Sequence, residues 1–352
     1  MKIGLIRRGF SPTGGAEAYL LRLAEGLVHA GHEPVLVTSG NWPSSAWAHG
    51  EMIRLPGETP TSFAQAFLET KNRFDVSLSL ERTPGCDVFR AGDGVHAAWL
   101  KRRKAYEPAW KCFFRRWNPK HGALTILERK VFESTPFLIA NSQMVADEIE
   151  EWFGVPPNRI RVIPNGIGQA LPMMNKAAAR EALGIELGTF CALFVGTGWD
   201  RKGLDLAVKA VDSLPGNPVL LVAGRGDQRA FQGRSTKFLG PTKNLPAIFA
   251  AADVFVLPTY YDPFSNASLE ALAAGLPVVT TTANGCSEIL EEGKHGNAVA
   301  PGNVSALAAA LNSWRSANRE QVAADCRRLA AEYSLERNTA ATIKVLLDVG
   351  LE

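Results

Sequence analysis

Two acids frame the predicted start of a helix in the stretch DPFSNASLEALAAGLPVV, residues 262–279. Asp262 opens the stretch and Glu270 lies further along it, whereas the three residues after Ser265 carry no charge. A helix start normally favours Asp or Glu in its first turn, because the unpaired backbone amides there carry partial positive charge. An uncharged first turn leaves these amides to an external anion, which favours an anion-binding site. The alternative is an ordinary Ser or Asn cap with Asp262 in a surface turn.

A second charged segment, GTGWDRKG at residues 196–203, follows an apolar run and precedes another predicted helix. Its Arg201 and Lys202 fall at the carboxyl end of a predicted strand. Two fixed cations beside helix amides suit a diphosphate, above all one that gains negative charge as it departs. A solvated charged turn is the alternative interpretation.

Two α/β units are predicted to position these segments. Apolar runs of strand length alternate with helical stretches, an order typical of a parallel sheet. The turn signal Pro164-Asn165-Gly166 predicts a hinge near residues 165–170. Open α/β sheets bind ligands at the carboxyl ends of their strands, where both charged segments fall. The predicted strands are 2–8, 34–39, 75–80, 137–142 and 160–168 in the first unit, and 190–198, 217–227, 253–259 and 276–282 in the second.

The composition fits a soluble protein of two domains. The 352 residues are 46% hydrophobic and 21% charged, with a net charge of +3. No apolar run approaches the roughly 20 residues needed to span a bilayer, and the N-terminal apolar core is too short for a signal peptide. The 5 cysteines are scattered without a Cys-x-x-Cys pair, which indicates a reducing cytoplasm and no structural metal.

Several motifs in their order and spacing resemble the retaining GT-B glycosyltransferases of family 4. They are Gly14-Gly15-x-Glu17, Pro164-Asn165-Gly166, Arg201-Lys202-Gly203, and Asp-x-Phe-x5-Glu-Ala from Asp262 followed by Ala-x-Gly-x-Pro-Val. The resemblance covers nearly the whole chain. TPGCDVFRAGDG (83–94) and the segment from Glu128 to Glu133 are similar to the lipopolysaccharide core glucosyltransferases of that family.

The resemblance implies an α/β fold of two Rossmann-like domains facing across a cleft. Residues 1–167 would form the N-terminal, acceptor-binding domain. Residues 168–332 would form the C-terminal domain, which binds the nucleotide sugar. Residues 333–352 would form a C-terminal helix that packs back toward the N-terminal domain.

The resemblance also implies a role for each matching position in donor binding. Glu270 would bind the ribose hydroxyls. Asp262, where the family usually has Glu, would hold hydroxyls of the donor sugar, so the identity of that sugar stays open. Arg201 and Lys202 would bind the diphosphate. The other predicted donor-binding residues are Gly15, Gly198, Gly224, Leu239, Ser265, Asn266 and Ala267, with Leu239 near the base.

Transfer of the sugar requires stabilisation of the departing diphosphate, for which Arg201, Lys202 and the helix amides supply the charge. The resemblance implies front-face attack, with the leaving phosphate accepting the acceptor's proton. Asp93 is the candidate polar group beside the reacting carbon, and His96 and Glu17 are candidates for the acceptor side. Loop hydrogen bonding is the alternative for Asp93 and His96, and helix capping for Glu17. The chain has no Asp-x-Asp motif, so we expect neither a metal nor another cofactor.

The segment 99–120, WLKRRKAYEPAWKCFFRRWNPK, interleaves basic and aromatic residues. Contact with an anionic membrane or glycolipid surface is the favoured interpretation. The purely structural alternative is a helix whose aromatic residues pack in the core and whose charged residues face water. A nucleic-acid surface is the least favoured, and no nucleic-acid partner is expected. The predicted location is the cytoplasm, peripheral to the inner membrane.

Three rival functions use similar elements. A dinucleotide oxidoreductase would need Gly-x-Gly-x-x-Gly after a strand, and neither Gly196-x-Gly198 nor Gly224-x-Gly226 supplies the third glycine. A nucleotide-sugar epimerase on the same fold would not need the basic and aromatic segment. A non-catalytic nucleotide-sugar-binding protein would tolerate Asp262 in place of Glu. The expected partners remain a nucleotide-sugar donor and a glycan or glycolipid acceptor.

Overall fold

The computed structural model describes residues 1–11, 15–104, 106–107, 119–168, 174–242 and 244–351, without the side chains of residues 71 and 119–121. The chain divides into two compact units. Unit 1 comprises Met1–Lys101, Pro108–Pro164 and Leu335–Glu352, and unit 2 comprises Arg102–Glu107 and Asn165–Ser334. The division thus falls after Pro164, whereas the sequence predicted a boundary at residue 167.

Unit 1 contains a parallel sheet of 7 strands in the order β3-β2-β1-β4-β5-β6-β7. Its strands are β1 (Lys2–Ile6), β2 (Glu33–Thr38), β3 (Met52–Arg54), β4 (Val76–Ser79), β5 (Val88–Arg90), β6 (Phe137–Ala140) and β7 (Ile160–Val162). Its helices are α1 (Gly15–His29), α2 (Pro60–Leu68), α3 (His96–Arg103), α4 (Pro119–Ser134) and α5 (Gln143–Phe153). Helix α3 ends in the short segment that belongs to unit 2.

Unit 2 contains a parallel sheet of 6 strands in the order β10-β9-β8-β11-β12-β13. Its strands are β8 (Cys191–Val195), β9 (Val219–Ala223), β10 (Thr236–Gly240), β11 (Val254–Leu257), β12 (Val278–Thr281) and β13 (Gly296–Val299). Its helices are α6 (Lys176–Ala182), α7 (Leu204–Asp212), α8 (Leu245–Ala251), α9 (Asn266–Ala273), α10 (Val304–Ser313) and α11 (Arg319–Ala331).

The central strands are buried along nearly their whole length, as expected where helices cover both faces of a parallel sheet. Every residue of β11 and β12 is buried, as are the middle residues of β8. The core of unit 2 packs these strands against α7 and α9, including Leu204 and Leu269. This pattern gives the rigid scaffold from whose carboxyl edge the charged loops project.

The last helix, α12 (Leu335–Gly350), belongs to unit 1 although it follows unit 2 in the chain. The Tyr19 hydroxyl and the Thr342 hydroxyl lie 2.9 Å apart in a buried hydrogen bond between α1 and α12. Leu346 is fully buried in the same core. A Cβ atom on Gly26 would approach the Thr339 Cγ2 atom to 2.5 Å, so α12 packs against α1 at a point where a side chain does not fit.

No helix within the described residues is both long and apolar enough to cross a membrane.

Candidate functional site

Helix α9 begins with the uncharged first turn that the sequence predicted. Ser265 is the N-cap, and its hydroxyl accepts a hydrogen bond from the Ser268 amide at 3.2 Å. The first turn contains no acidic residue. In the described part of the chain, the amides of Asn266 and Ala267 have no protein acceptor, and Asn266 is exposed. These two amides therefore supply the N–H groups and the positive helix end that an anion would bind.

Two asparagines from outside the helix hold this turn in place. Asn284 is fully buried, and its Oδ1 atom accepts from the Ser265 amide at 3.2 Å and from the Cys286 amide at 3.1 Å. The Asn165 Nδ2 atom donates to Asn266 Oδ1 at 2.7 Å and to the Phe264 carbonyl at 3.2 Å. Since the Ser265 amide already donates to Asn284, the part of Ser265 in donor binding stays a prediction. The candidate anion site consists of the two amides that follow.

The two predicted cations lie beside the predicted sugar-binding acid. Asp262 Oδ2 lies 3.6 Å from Lys202 Nζ and 3.8 Å from Arg201 Nη1. Asp262 is buried, which excludes the surface-turn alternative. Both separations exceed the 2.7–3.2 Å range of a typical N–H···O hydrogen bond, so the carboxylate balances the cations without saturating their donors. Among the described residues Asp262 is the one acid within 4 Å of these cations, and their remaining N–H donors favour a further anion at the site.

The loop that carries Arg201 and Lys202 is fixed by close backbone contacts. The Arg201 carbonyl accepts from the Tyr260 amide at 2.9 Å and from the Thr259 hydroxyl at 3.0 Å. Gly203 begins α7 with a φ of 71°, and a Cβ there would lie 2.1 Å from the Pro258 carbonyl oxygen. The family motif therefore ends in glycine because the loop after β8 is pressed against the loop after β11.

Glu270 lies in the middle of α9 and is mostly buried. Among the described residues its carboxylate forms no salt bridge. Burial raises the pKa of its carboxyl above the ordinary value, and the charge of Lys202 opposes the rise only in part. An acid kept in such a place without a close cation is costly for folding. That cost is typical of a group retained for binding, and binding of the ribose hydroxyls by Glu270 stays a prediction.

The glycines and the leucine predicted for the donor lie at the ends of β8, β9 and β10. Gly198 has a φ of 69° and open space where a Cβ would stand. Gly224 is required by packing, because its Cβ would lie 1.8 Å from the Gly196 carbonyl oxygen. Leu239 sits at the irregularity in the pairing of β10 with β9, where the register shifts between Phe238 and Gly240. Such bulges redirect a side chain at a strand end.

In unit 1, Gly15 and Glu17 lie at the start of α1, in the loop region that follows β1. Gly15 is exposed, and among the described residues beyond its immediate chain neighbours no atom lies within 4 Å of the point where a Cβ would stand. Glu17 is buried and accepts from Arg7 Nη2 at 2.9 Å and Arg7 Nε at 3.1 Å. Arg7 also lies 3.5 Å from Glu81, which follows β4. Glu17 thus belongs to an ion-pair network at the sheet edge.

Asp93 and His96 follow β5 in unit 1. Asp93 is exposed in a turn closed by the Gly94 amide and the Ala91 carbonyl at 3.0 Å. His96 begins α3, and its ring lies 5.3 Å from that of Trp99. The turn therefore presents Asp93 to solvent, and its predicted part in chemistry stays a prediction.

Glu128 sets the position of His96. This carboxylate is fully buried and accepts from the backbone amides of His96 at 2.8 Å and Ala97 at 3.1 Å. Arg82 Nη2 lies 3.0 Å from the same carboxylate. Here a protein acid occupies the first-turn amides of α3, which is the opposite of the arrangement at α9.

The basic segment is only partly within the described residues, since residues 105 and 108–118 lie outside them. Arg102 lies over the Tyr261 ring at 5.2 Å, and Tyr106 stacks on Tyr260 with ring centroids 4.5 Å apart. Lys101 lies 3.7 Å from Glu151 and is largely exposed. The first residues of the segment thus contact other residues of the protein. Two of these contacts are with Tyr260 and Tyr261, which directly precede Asp262.

The predicted site residues form two groups, one in each unit. The structure brings Arg201, Lys202 and Asp262 together beside the start of α9 in unit 2. Gly15, Glu17, Asp93 and His96 lie after strands of the sheet in unit 1. Sequence reasoning missed the residues that hold these groups in place, which are Arg7, Arg82, Glu128 and Asn284. The Glu128 segment and the Pro-Asn-Gly turn carried a family signal, whereas Arg7 and Asn284 carried none that singled them out.

Two Rossmann-like parallel sheets, one with a cation-flanked helix start, define a glycosyltransferase of the GT-B class. Residues 13–169 match the family model described as Glycosyltransferase Family 4, and residues 189–316 match that described as Glycosyl transferases group 1. The chain therefore contains glycosyltransferase family 4 and group 1 domains, in agreement with the predicted family, and the predicted α/β fold is confirmed.

Individual relatives agree with this placement. The lipopolysaccharide glucosyltransferase WaaG of Escherichia coli strain K12 is 26% identical over 320 residues, covering 83% of this chain and 83% of that protein. The crystal structure of WaaG matches with a TM-score of 0.78 at 23% identity, covering 98% of this chain and 99% of that one. Anabaena Alr3699/HepE in complex with UDP and glucose matches with a TM-score of 0.74 at 17% identity, with coverage of 98% and 99%. These two structural matches establish the fold.

We predict that Glu270→Gln stabilises the ligand-free protein at pH 8 by about 0.5–2 kcal/mol, the range of single stabilising substitutions. An acid whose pKa is raised by folding contributes stability below its unfolded pKa, and loses it as pH rises through the folded pKa. Glutamine cannot ionise, so the difference between variant and parent shrinks toward about pH 4, near the ordinary value of 4.5. Urea unfolding at both pH values measures this.

The exposed Glu186→Gln, at a position outside the helices and strands, is the matched control and leaves stability unchanged at both pH values. A Glu270→Gln variant that is less stable than its parent at pH 8 contradicts the assignment of Glu270 as a buried acid costly for folding.

Proposed function

We propose that this glycosyltransferase moves a hexose from a UDP-sugar to a glycan or glycolipid acceptor, with retention of anomeric configuration. The observation that carries the proposal is the start of α9, where the amides of Asn266 and Ala267 have no acceptor among the described residues and shortly follow Asp262, the acid that faces Lys202 and Arg201. The relative whose structure holds UDP and glucose shares this fold, and the relative WaaG is a lipopolysaccharide glucosyltransferase. Both support a UDP-glucose-like donor and a role in lipopolysaccharide core or cell-surface polysaccharide synthesis.

In the proposed donor complex, the diphosphate lies on the amides of Asn266 and Ala267. Lys202 and Arg201 pair with its oxygens, since their N–H donors are not saturated by Asp262. Glu270 accepts from or donates to the ribose hydroxyls, and Asp262 binds hydroxyls of the sugar. The flanking acids thus bind neutral hydroxyls on either side of the phosphates, which avoids repulsion between like charges.

The proposed chemical step breaks the bond between the anomeric carbon and the diphosphate oxygen. The acceptor hydroxyl oxygen forms the new bond on the same face, and its proton passes to the departing diphosphate oxygen. Negative charge therefore grows on the diphosphate, where Lys202 and the helix amides stabilise it more strongly than in the ground state. We assign acceptor binding to unit 1, with Glu17 and His96 as candidates and Asp93 beside the reacting carbon.

We predict that the protein releases UDP from a UDP-sugar only when acceptor glycolipid is present, and that EDTA leaves the rate unchanged. Charge stabilisation comes from side chains and amides in this proposal, and no Asp-x-Asp motif is present to hold a divalent ion. Enzyme-coupled detection of UDP and chromatography of the nucleotide sugars measure the outcome.

The same assay separates the rival functions. A new nucleotide sugar formed without acceptor indicates an epimerase, and unchanged donor under all conditions indicates a non-catalytic binding protein. Loss of turnover in EDTA contradicts metal-independent transfer.

We predict that Lys202→Ala lowers kcat by about 100- to 1,000-fold, because one preorganised charge contact in a dry site contributes about 3–4 kcal/mol to the transition state. Folding is affected much less, since the separation of the Lys202 ammonium from Asp262 is longer than a hydrogen bond. Steady-state kinetics and thermal unfolding measure the two effects separately.

Lys209→Ala is the matched control, because Lys209 is exposed on α7 and pairs with Asp205 at 3.3 Å. It leaves kcat unchanged. A Lys202→Ala variant with near-normal turnover removes Lys202 from the mechanism.

We further propose that the protein works in the cytoplasm, bound peripherally to the inner membrane through residues 99–120. The segment carries Arg115, Arg116 and other basic residues, with aromatic residues between them. Basic residues near an anionic lipid surface contribute about 1 kcal/mol each. We predict binding to phosphatidylglycerol vesicles at low salt, and weakening by about tenfold or more in Arg115→Ser/Arg116→Ser. Vesicle co-sedimentation measures this.

Arg73→Ser/Arg229→Ser is the control of equal charge change, at exposed positions outside the segment. An unmodified protein that fails to sediment with these vesicles contradicts the membrane proposal. That result favours the purely structural alternative, a helix with buried aromatic residues and solvated charges.

A further inference from the structure

A cavity of about 280 Å³ lies in unit 2 at the edge of the sheet opposite to the proposed donor site. Asp253 and Pro277, which line it, directly precede β11 and β12, whereas the donor residues follow the strands of this sheet. Helix α9 links the two places, because it begins at the proposed diphosphate site and its last residue, Ala273, lines the cavity. The cavity is therefore separate from the proposed donor site.

The charged residues around the cavity are out of balance. Lys176, Arg180 and Arg319 all pair with the single buried carboxylate of Asp253, which also accepts from the Cys191 amide at 2.8 Å. Lys176 and Arg319 line the cavity together with Asp253. Three cations sharing one carboxylate leave an excess of positive charge in a partly dry place, which favours a further anion.

The pKa values of this cluster agree with an excess of positive charge. Burial lowers the pKa of Lys176 below its ordinary value, and the charges of Arg319 and Arg180 lower it further, against the opposing effect of Asp253. Burial by itself would raise the pKa of Asp253, but its hydrogen bond and charge interaction with Lys176 and its other partners outweigh that effect and hold the pKa low. Asp253 thus stays ionised and is already fully used by its partners.

A further cation, Arg327 of α11, also lines the cavity. Its Nη2 atom has a long contact, 3.4 Å, to the Ala274 carbonyl at the end of α9. Arg319 stands at the first position of the same helix and also lines the cavity. Two guanidinium groups on one helix thus face the same space, and guanidinium groups bind phosphate and carboxylate in a bidentate manner.

The remaining walls are largely apolar. Phe249, Leu276 and Trp314 line the cavity, and Trp314 is fixed by a hydrogen bond from its Nε1 atom to Asn297 Oδ1 at 2.8 Å. The volume is far above the roughly 10–15 Å³ that one water molecule needs, and is close to the roughly 300 Å³ at which small-molecule pockets begin. Apolar walls with a few convergent charged groups are the usual composition of a small-ligand site.

We propose that this cavity binds a small organic anion, with its phosphate or carboxylate on Arg319 and Arg327 and its ring or apolar body against Trp314 and Leu276. The ligand binds without competing with a nucleotide at the start of α9, because the two sites lie at opposite ends of that helix. This second site is independent of the sugar donor and the acceptor.

Calorimetric titration of the full chain with phenyl phosphate, in saturating UDP and again without UDP, tests the proposal. Saturable binding is expected in both conditions, because the site is not the nucleotide site. Benzyl alcohol, which has the ring without the charge, is expected to bind at least about tenfold more weakly, since a hydrogen bond to a charged group contributes about 1.5–3 kcal/mol. For the same reason Arg327→Gln weakens phenyl phosphate binding by about tenfold or more, and Arg319→Gln/Arg327→Gln weakens it further.

Arg328→Gln is the matched control, since Arg328 lies on the same helix, is largely exposed and pairs with Asp325 at 2.9 Å. It leaves phenyl phosphate binding unchanged. Among the described residues Arg327 forms no ion pair with Asp253, so the single variant reports on the site even where loss of Arg319 destabilises the fold. Absence of saturable binding, binding that Arg327→Gln leaves intact, or equal binding of benzyl alcohol overturns the proposal. Loss of phenyl phosphate binding in saturating UDP alone also overturns it, because it places the ligand in the nucleotide site.

Discussion

The unpaired amides at the start of α9 are the feature on which the rest of the candidate site depends. A helix start that no protein acid neutralises attracts an anion, and the first turn of α9 contains none. The parallel sheet adds positive charge near this helix start, because it brings the loop after β8, with Arg201 and Lys202, to the same edge as the loop after β11. Gly203 allows these two loops to touch at backbone distance, and Gly224 does the same for the loops after β8 and β9. Fold and charge therefore converge on one place.

The two acids of the candidate site, Asp262 and Glu270, interact differently with its positive charge. Asp262 faces both cations at distances beyond ordinary hydrogen bonds, so it balances their charge while their donors stay available. Glu270 is mostly buried and its pKa is raised, so it lowers stability at neutral pH. The α3 start in unit 1 shows the contrasting solution, in which buried Glu128 takes the first-turn amides. One helix start is neutralised within the protein and the other is left for a ligand, as expected where stability is given up for binding.

Much of this was predictable from local sequence. The apolar strand runs, the Ser265 cap, the positive-φ Gly275 after α9 and the Arg-Lys-Gly loop all follow from residue type and spacing. The contacts that fix the site are not local, because Asn284 reaches back to Ser265 and Asn165 reaches Asn266 across a long stretch of chain. For that reason the sequence did not indicate that the Ser265 amide already has a protein acceptor. The short strands β3, β5, β10 and β13 were also missed, since each has only three to five residues and gives a weak pattern. The cavity before β11 has no sequence motif and emerges only from the packing of α8, α9 and α11.

The most direct test of the central claim removes one amide at the start of α9 and leaves the helix intact. Asn266→Pro deletes that amide at a position where proline suits a helix, and Ser265 before it is already extended with a ψ of 111°. Asn266→Ala removes the same side chain but keeps the amide, so the pair isolates the N–H group. A hydrogen bond to a charged group contributes about 1.5–3 kcal/mol, so calorimetry should show UDP binding about tenfold weaker or more in Asn266→Pro than in Asn266→Ala, at similar melting temperature. Equal UDP affinity in two folded variants would contradict the claim that the start of α9 binds the diphosphate.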